Sequence, residues 1–424
     1  MALLFSYYGD DFTGSTDALE ALSAHGVRTV LFPGIPTPEQ LRRFSDYEAI
    51  GIAGESRSRD PEWMRTNLPR AFEFLRSLGA PVTQYKVCST FDSSPQIGNI
   101  DAAMRIGREI FESACVPVVV AAPHLGRYVL FGNLFAAQSG TIHRIDRHPT
   151  MSRHPVTPMG ESDLRLHLRA QGAGDVELVD ILALTGTDPC AVADAILARN
   201  ACAVVFDGLD RRTELETGRI LWNRRSSHPF MVGSSGLTHA FTRWWRETGQ
   251  IARDLRLPEA GAVDRLLVVS GSCSPVTEEQ IRSAQRVGFE GFHSAGSDRH
   301  ELLNHALNAL GHGKSIIIYS ALGSAAVNSS FGGEELGHYL GDLMRDVVLQ
   351  SGVRRAIIAG GDTSSHAVSR LGISALTFAA LTAPGAPLCR AESDTPPVNG
   401  LELVLKGGQV GSRDFFEQVR RGRV

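Results

Sequence analysis

The residues best suited to chemistry are gathered in one stretch, Tyr85-Lys86-Val87-Cys88-Ser89-Thr90-Phe91-Asp92-Ser93-Ser94-Pro95-Gln96-Ile97-Gly98-Asn99. Ser, Thr and Asp compete with the backbone for hydrogen bonds, so they favour turns and helix caps over helix interiors. The pattern reads as a strand end at Lys86, a polar loop carrying Ser89, Thr90 and Asp92, and a helix beginning near Ile100. A cation beside many small donors and acceptors suits a small, hydroxylated, anionic ligand. The plainer alternative is a loop that only caps its own helix, which accounts for some of these residues but not all.

Three further places invite the same question. Asp10 and Asp11 follow the apolar run ending at Tyr8. Adjacent carboxylates can accept hydrogen bonds from sugar hydroxyls, or one can act as general base; one is expected to cap the next helix and the other to face ligand. Arg57 offers a bidentate fork to a carboxylate, unless it is a solvated surface arginine. Gly360-Gly361-Asp362-Thr363-Ser364 turns a strand into a helix. Two glycines there let amides approach a polyphosphate, Asp362 is a candidate Mg2+ ligand, and Thr363 and Ser364 can donate to oxygens. Close packing explains the glycines but leaves Asp-Thr-Ser unexplained. Ser270-Gly271-Ser272-Cys273-Ser274-Pro275 could meet a phosphate or nucleotide hydroxyls, although capping explains Ser274-Pro275. Lys406-Gly407-Gly408-Gln409-Val410-Gly411 could close over the same nucleotide. Neither G-x-x-x-x-G-K-[ST] nor a post-strand G-x-G-x-x-G occurs.

The elements that must position these residues alternate strand and helix, the pattern of a mainly parallel sheet. Residues 3–8, the helical face through Leu22 and residues 28–32 read as a strand–helix–strand unit. Further strands are expected at 49–53, 82–86, 116–121, 177–179, 203–206 and 230–232. Parallel sheets bind ligands at the carboxyl ends of their strands, where Asp10, Arg57 and the Lys86 loop all fall. Gly233-Ser234-Ser235-Gly236 reads as close packing rather than an anion site. Between Pro123 and Asp163 no period is sustained, while Arg127, His143, Arg144, Arg147, His148, Arg153 and His154 crowd together. This long excursion reads as a cationic lining or an oligomer contact more readily than as a metal site. Residues 248–264 break the pattern as a linker would, and strands resume at 266–269, 315–319, 356–359 and 401–405.

With 424 residues, the chain exceeds what one core usually serves, and two α/β domains are expected, 1–247 and 265–424. Apolar content of 43% is ordinary, and a net charge of −4 gives no basic footprint, so nucleic acid is not an expected partner. No apolar run is long enough to span a bilayer, and no membrane partner is expected. Six scattered cysteines without a C-x-x-C pair suit reduced thiols in a cytoplasm. Apolar helix faces could serve a core or a homodimer equally.

The motifs Asp10-Asp11-Phe12-Thr13-Gly14-Ser15, the Lys86 loop through Pro95, and Gly360-Gly361-Asp362-Thr363-Ser364 together resemble the four-carbon acid sugar kinase family, once catalogued as a domain of unknown function. The resemblance runs over nearly the whole chain, including Ser56-Arg57-Ser58, Gly233-Ser234-Ser235-Gly236, Ser270-Gly271-Ser272 and Lys406-Gly407-Gly408. It implies an N-terminal domain that binds an acid sugar, a C-terminal domain that binds ATP, an active-site cleft between them, and transfer of the γ-phosphoryl group to a terminal hydroxyl. Carried over, it assigns Asp10, Asp11, Arg57, Lys86, Ser89, Thr90 and Asp92 to the acid sugar. It assigns Ser272, Gly360, Gly361, Asp362, Thr363 and Gly408 to the nucleotide, with Mg2+ near Asp362. Arg57 or Lys86 would anchor the substrate carboxylate, and Asp11, or failing it Asp92, would accept the hydroxyl proton. The third glycine motif departs from the family's Lys-Ser-Gly-Asn-Phe-Gly, since Gly407, Gln409 and Val410 replace Ser, Asn and Phe. The run from Leu125 through Arg153 is distinctive and suggests a subgroup acting on an oxidised or branched acid such as 3-oxo-isoapionate. The other classes that fit are a dehydrogenase or hydrolase of a similar acid, and a non-catalytic acid-sugar sensor that forms no ADP.

Overall fold

The computed structural model describes residues 3–138, 140–252, 256–294, 297–323 and 333–423; the side chains of residues 333, 334 and 362 lie outside this description. The chain divides into two compact units, Met1–Thr29 with Asp46–Leu255, and Val30–Ser45 with Arg256–Val424. Among the described residues no helix is long and apolar enough to cross a membrane.

The first unit is built on a parallel sheet whose strands lie in the order Ala49–Ala53, Phe5–Gly9, Thr83–Lys86, Phe230–Gly233, Val116–Val119, Ala203–Phe206 and Val176–Val179. Most of these strands are wholly buried, as a sheet covered by helices on both faces requires. Aspartates, asparagine and serine start the helices. Asp11 caps Phe12–Ser23, Asp60 caps Pro61–Ser77, Asn99 caps Ile100–Ile110 and Ser234 caps Ser235–Glu247. Gly233 and Gly236 are packing glycines, as expected: a Cβ on Gly236 would lie 1.7 Å from Ala121 O.

The second unit places Glu290–His293, Ile316–Tyr319, Leu267–Ser270, Arg355–Ala359 and Glu402–Lys406 side by side and parallel. An antiparallel ribbon, Ala386–Glu392 and Ala375–Ala383, continues that sheet. The strand Thr29–Phe32 does not take the parallel place beside Phe5–Gly9 that the strand–helix–strand reading gives it. Its residues Val30 and Leu31 pair antiparallel with Thr377 and Leu376.

The excursion after Pro123 is regular rather than aperiodic. Arg127–Leu130, Asn133–Gln138 and Thr141–Arg144 form a three-stranded antiparallel sheet. Phe131 and Gly132 turn the first hairpin with φ of 51° and 80°, the conformation of a two-residue turn matched to strand twist. Asp207, at the carboxyl end of Ala203–Phe206, fastens that turn: its carboxylate accepts from Phe131 N at 2.6 Å, Gly132 N at 2.9 Å and Ile181 N at 2.9 Å. Asp207 is buried, so its loss deprives three amides of their acceptor, that of Gly132 in a buried position. Asp207→Ala is therefore expected to cost about 2–4 kcal/mol in urea unfolding, against about 0.5 kcal/mol for a surface Asp→Ala change.

Candidate active site

In the first unit the candidate sugar-binding residues gather at the carboxyl ends of three adjacent strands, Ala49–Ala53, Phe5–Gly9 and Thr83–Lys86. Chain direction brings Arg57, Asp10 and Asp11, and Lys86 to one edge. Arg57 Nη2 and Nε meet the two oxygens of Asp10 at 2.6 and 3.1 Å, and Nη1 meets Asp11 Oδ2 at 2.8 Å. Asp11 Oδ1 accepts from Gly14 N at 2.7 Å, so Asp11 caps its helix and binds Arg57 at once. Lys86 is 1% exposed and its Nζ lies 3.1 Å from Asp17 Oδ2. A Cβ on Gly14 would lie 3.4 Å from both Arg57 Nη2 and Lys86 Nζ, so glycine keeps the first helical turn open beneath both cations. Gly98, at φ 64°, plays a similar part: a Cβ there would lie 2.6 Å from Arg57 O.

Three carboxylates (Asp10, Asp11, Asp17) thus share two cations (Arg57, Lys86). Burial pushes the Asp10 carboxyl up to about 6, against the pull of Arg57 and with the help of Asp11. Arg57 stays firmly protonated although burial opposes it, because Asp10 and Asp11 flank it. The expectation that one aspartate caps and the other faces ligand meets a different division: Asp11 caps and keeps partial exposure, while Asp10 is buried under Arg57. The Arg57 fork and Lys86, expected to be open to a substrate carboxylate, are both engaged by aspartates of the chain.

The rest of the Lys86 loop is tightly wired. Thr90 Oγ1 donates to Asp92 Oδ1 at 2.5 Å, and Cys88 Sγ lies 2.9 Å from Thr90 Oγ1. Burial pushes the Asp92 carboxyl up, but Arg57, the Thr90 hydroxyl and His154 outweigh it and hold Asp92 below the usual range. Asp92 is therefore ionised and a weak proton acceptor. Ser89 is half-buried on the same loop. Two supports escaped the sequence reading. Ser93 Oγ donates to Phe91 O at 2.9 Å and receives Gln171 Nε2 at 2.8 Å and His167 Nε2 at 2.9 Å. Both come from the end of the excursion, where Asp163 caps Leu164–Ala170; an Asp before Leu164, His167 and Leu168 at helical spacing was the available signal.

The candidate nucleotide-binding residues come together within the second unit in the same manner. Ser270, Ala359 and Lys406 stand level across three adjacent parallel strands, so Gly271, Gly360 and Gly407 leave the sheet side by side. Gly360 has φ 121°, and a Cβ there would lie 3.1 Å from Thr363 Oγ1 and 3.4 Å from Ser272 N. A Cβ on Gly408 would lie 2.7 Å from Ser272 Oγ. Ser272, Gly360, Gly361, Thr363 and Gly408 therefore come together. Asp362 belongs to the first turn of helix Gly361–Leu371, its side chain lying outside the described structure. The Gly-rich turn has its carbonyls tied inward: Thr277 Oγ1 donates to Gly408 O at 2.9 Å, and Gln280 Nε2 donates to Val410 O and Ser412 O at 3.0 and 2.9 Å. Tying carbonyls inward leaves amides to face an anion, as at the N-terminus of the neighbouring helix. Lys406, wholly buried, donates to Thr277 Oγ1 at 3.0 Å, and burial pushes its amine down to about 7. Among the described residues no group of three or more His, Cys, Asp or Glu could hold a metal ion.

Comparison with known proteins joins these two halves to names. Residues 5–241 match the model of a sugar-binding N-terminal domain, and residues 267–416 that of a nucleotide-binding C-terminal domain. The chain belongs to the four-carbon acid sugar kinase family. It is 45% identical to the 3-oxo-isoapionate kinase of Paraburkholderia graminis, over 100% of this chain and 95% of that protein. It is 31% identical to the 3-oxo-tetronate kinase of Methylobacterium radiotolerans over 98% of each. A solved structure from Salmonella typhimurium LT2, 27% identical, superposes with a TM-score of 0.78 over 99% of both chains.

The buried His167 makes the loop that follows Lys86 in this chain sensitive to acid. Burial holds its imidazole down at about 4, against 6.5 when unfolded. Between those values the unfolded chain binds the extra proton, so the stability His167 contributes is full above pH 6.5 and is lost as pH falls toward 4. Asp10 and Asp207, both raised to about 6, act in the opposite sense over much of that window. The informative readout is therefore a difference. His167→Gln, which keeps a donor to Ser93, is expected to gain on the parent protein by about 1 kcal/mol per pH unit as urea unfolding is moved from pH 6.5 to 4.5.

Proposed function

We propose that this protein transfers the γ-phosphoryl group of ATP to a hydroxyl of a branched 3-oxo acid sugar of the 3-oxo-isoapionate type. The observation that carries this reading is 45% identity to a 3-oxo-isoapionate kinase along the entire chain, against 31% to a 3-oxo-tetronate kinase. The geometry of each unit supports it. Phosphoryl transfer needs positioning and charge neutralisation more than covalent help. Asp11 is the candidate proton acceptor: Gly14 N and Arg57 fix both of its oxygens, and it is the more exposed of the two aspartates. Arg57 acts by orienting Asp11 and by offsetting the charge of Asp10. Thr90 and Asp92 present a hydroxyl and an ionised carboxylate suited to the substrate's hydroxyls. In the second unit the amides following Gly360 and around Gly408, with Ser272 and Thr363, would receive phosphate oxygens. Mg2+ supplied with ATP would neutralise those oxygens, with Asp362 as the residue of this chain nearest to hand in sequence.

A coupled ADP-release assay tests the reading. With ATP and Mg2+, kcat/KM is expected to be highest for 3-oxo-isoapionate and lower for 3-oxo-tetronates; acid binding with no ADP formed from any of them would make the protein a sensor. Asp11→Asn, which retains an oxygen for Gly14 N, is expected to lower kcat by about 10²- to 10⁴-fold while leaving KM for ATP within about twofold. Undiminished turnover in that variant would remove Asp11 as the base.

A further inference from the structure

The three-stranded sheet of the first unit carries a cation that no carboxylate answers. Arg127 stands opposite Ala136, Ala136 opposite His143, and Val129 opposite Leu134. Directly paired residues point to the same face, so Arg127 shares its face with Val129, Leu134 and Ala136, all three wholly buried in the core. An arginine on such a face ordinarily has an acidic partner. Among the described residues Arg127 has none. Only its Nη1 is occupied, by the carbonyls of Leu125 at 2.7 Å, Gly126 at 3.4 Å and Ala137 at 3.2 Å. Its Nε is buried without a hydrogen-bond partner.

A second orphan donor sits nearby. His148 is 5% exposed, and its Nδ1 accepts from Thr150 N and Met151 N, both at 3.2 Å. That fixes the ring proton on Nε2, and Nε2 too is buried without a partner. The His148 ring lies edge-on to His143, 5.8 Å between centroids, and His143 is separated from Arg127 in the ladder by the small Ala136. Arg127 and His148 are near enough for their charges to interact, as are Arg127 and Cys88 of the Lys86 loop. His154, from the same excursion, lies within charge range of Asp92.

We propose that the free Nε–Nη2 edge of Arg127 and the Nε2–H of His148 form a carboxylate subsite that takes the acid end of the substrate and thereby sets which hydroxyl is presented for phosphorylation. A carboxylate supplies the two acceptor oxygens and the negative charge that this pair lacks; a neutral sugar hydroxyl supplies neither. Arg57 and Lys86 are unsuited to the task because Asp10, Asp11 and Asp17 already neutralise them. Arg127 as a whole retains partial exposure, although its Nε is buried. The subsite rests on the acid-sugar reading given above.

The test compares 3-oxo-isoapionate with its methyl ester, which keeps the hydroxyls and loses the charge. The parent protein is expected to favour the acid. Arg127→Met and His148→Asn, the latter keeping an oxygen where Nδ1 stands, are each expected to raise KM for the acid about 10- to 100-fold while leaving KM for ATP unchanged and largely abolishing the preference over the ester. Arg127→Lys is expected to recover part of that preference. Variants that leave KM for the acid within twofold, or that weaken acid and ester equally, would overturn the proposal and leave Arg127 as a tie for three carbonyls. Should the variants fail to fold, phenylglyoxal labelling of Arg127 in the parent protein decides: protection by the acid and not by the ester is expected, and equal labelling with and without acid refutes the subsite. This measurement needs no turnover, so a protein that proved not to be a kinase would fail the ADP assay yet still report on the subsite.

Discussion

One guanidinium shared by two neighbouring carboxylates is the constraint on which the sugar side of this protein rests. Without Arg57, Asp10 and Asp11 would hold two like charges side by side in a largely buried turn, and one would have to take up a proton. With it, a strand end, a helix cap and a loop are drawn to one point. Gly98 extends the lock to the Lys86 loop, because only a residue without a side chain can lie against the Arg57 carbonyl. Counting Lys86 and Asp17, the cluster still carries one negative charge in excess. Burial, helped by Asp11, lifts the Asp10 carboxyl to about 6, and the surplus is why a second anion, the substrate's own acid group, calls for a cation elsewhere. Arg127, entering from the antiparallel excursion, has no carboxylate partner among the described residues.

The nucleotide-binding unit meets a different problem, since with no G-x-x-x-x-G-K-[ST] loop a phosphate would have to be met by backbone amides. Level strand ends make the solution possible. Since Ser270, Ala359 and Lys406 stand in register, three glycine-containing turns begin at the same height and approach within van der Waals distance of one another. Thr277 and Gln280, from a single helix, hold the carbonyls of the third turn. The substitutions that distinguish this turn from its family pattern, Gly407, Gln409 and Val410, leave that arrangement intact because it depends on main-chain groups.

The sequence showed the sheet-forming units well where apolar strands met Gly, Asp or Ser at their ends, and those same junctions carry the candidate site. Asp10, Asp11, Arg57 and Lys86 were legible as a group because chain direction alone sends them to one edge. Their pairing was not legible: that Arg57 would be consumed by aspartates depends on side-chain distances that no spacing reports. The excursion was misread because Arg127, His143 and Arg144 mask a period-two pattern that Val129, Leu134 and Ala136 obey, although Phe131-Gly132 was a usable turn signal. The ribbon from Ala375 to Glu392 went unnoticed beside more conspicuous glycine motifs. His167 and Gln171 were invisible as partners of Ser93, being more than seventy residues away.

The excursion of Val30–Ser45 into the second unit has a bearing on how this protein can be divided. The polypeptide enters that unit, leaves it and returns at Arg256, so its gene cannot be cut once to yield two self-sufficient halves. A fragment beginning at Arg256 would lack the strand that pairs with Leu376 and Thr377 and would present a bare ribbon edge to any neighbour. Ancestry by simple end-to-end joining of a sugar-binding and a nucleotide-binding protein is correspondingly disfavoured, since the second unit already depends on residues encoded within the span of the first.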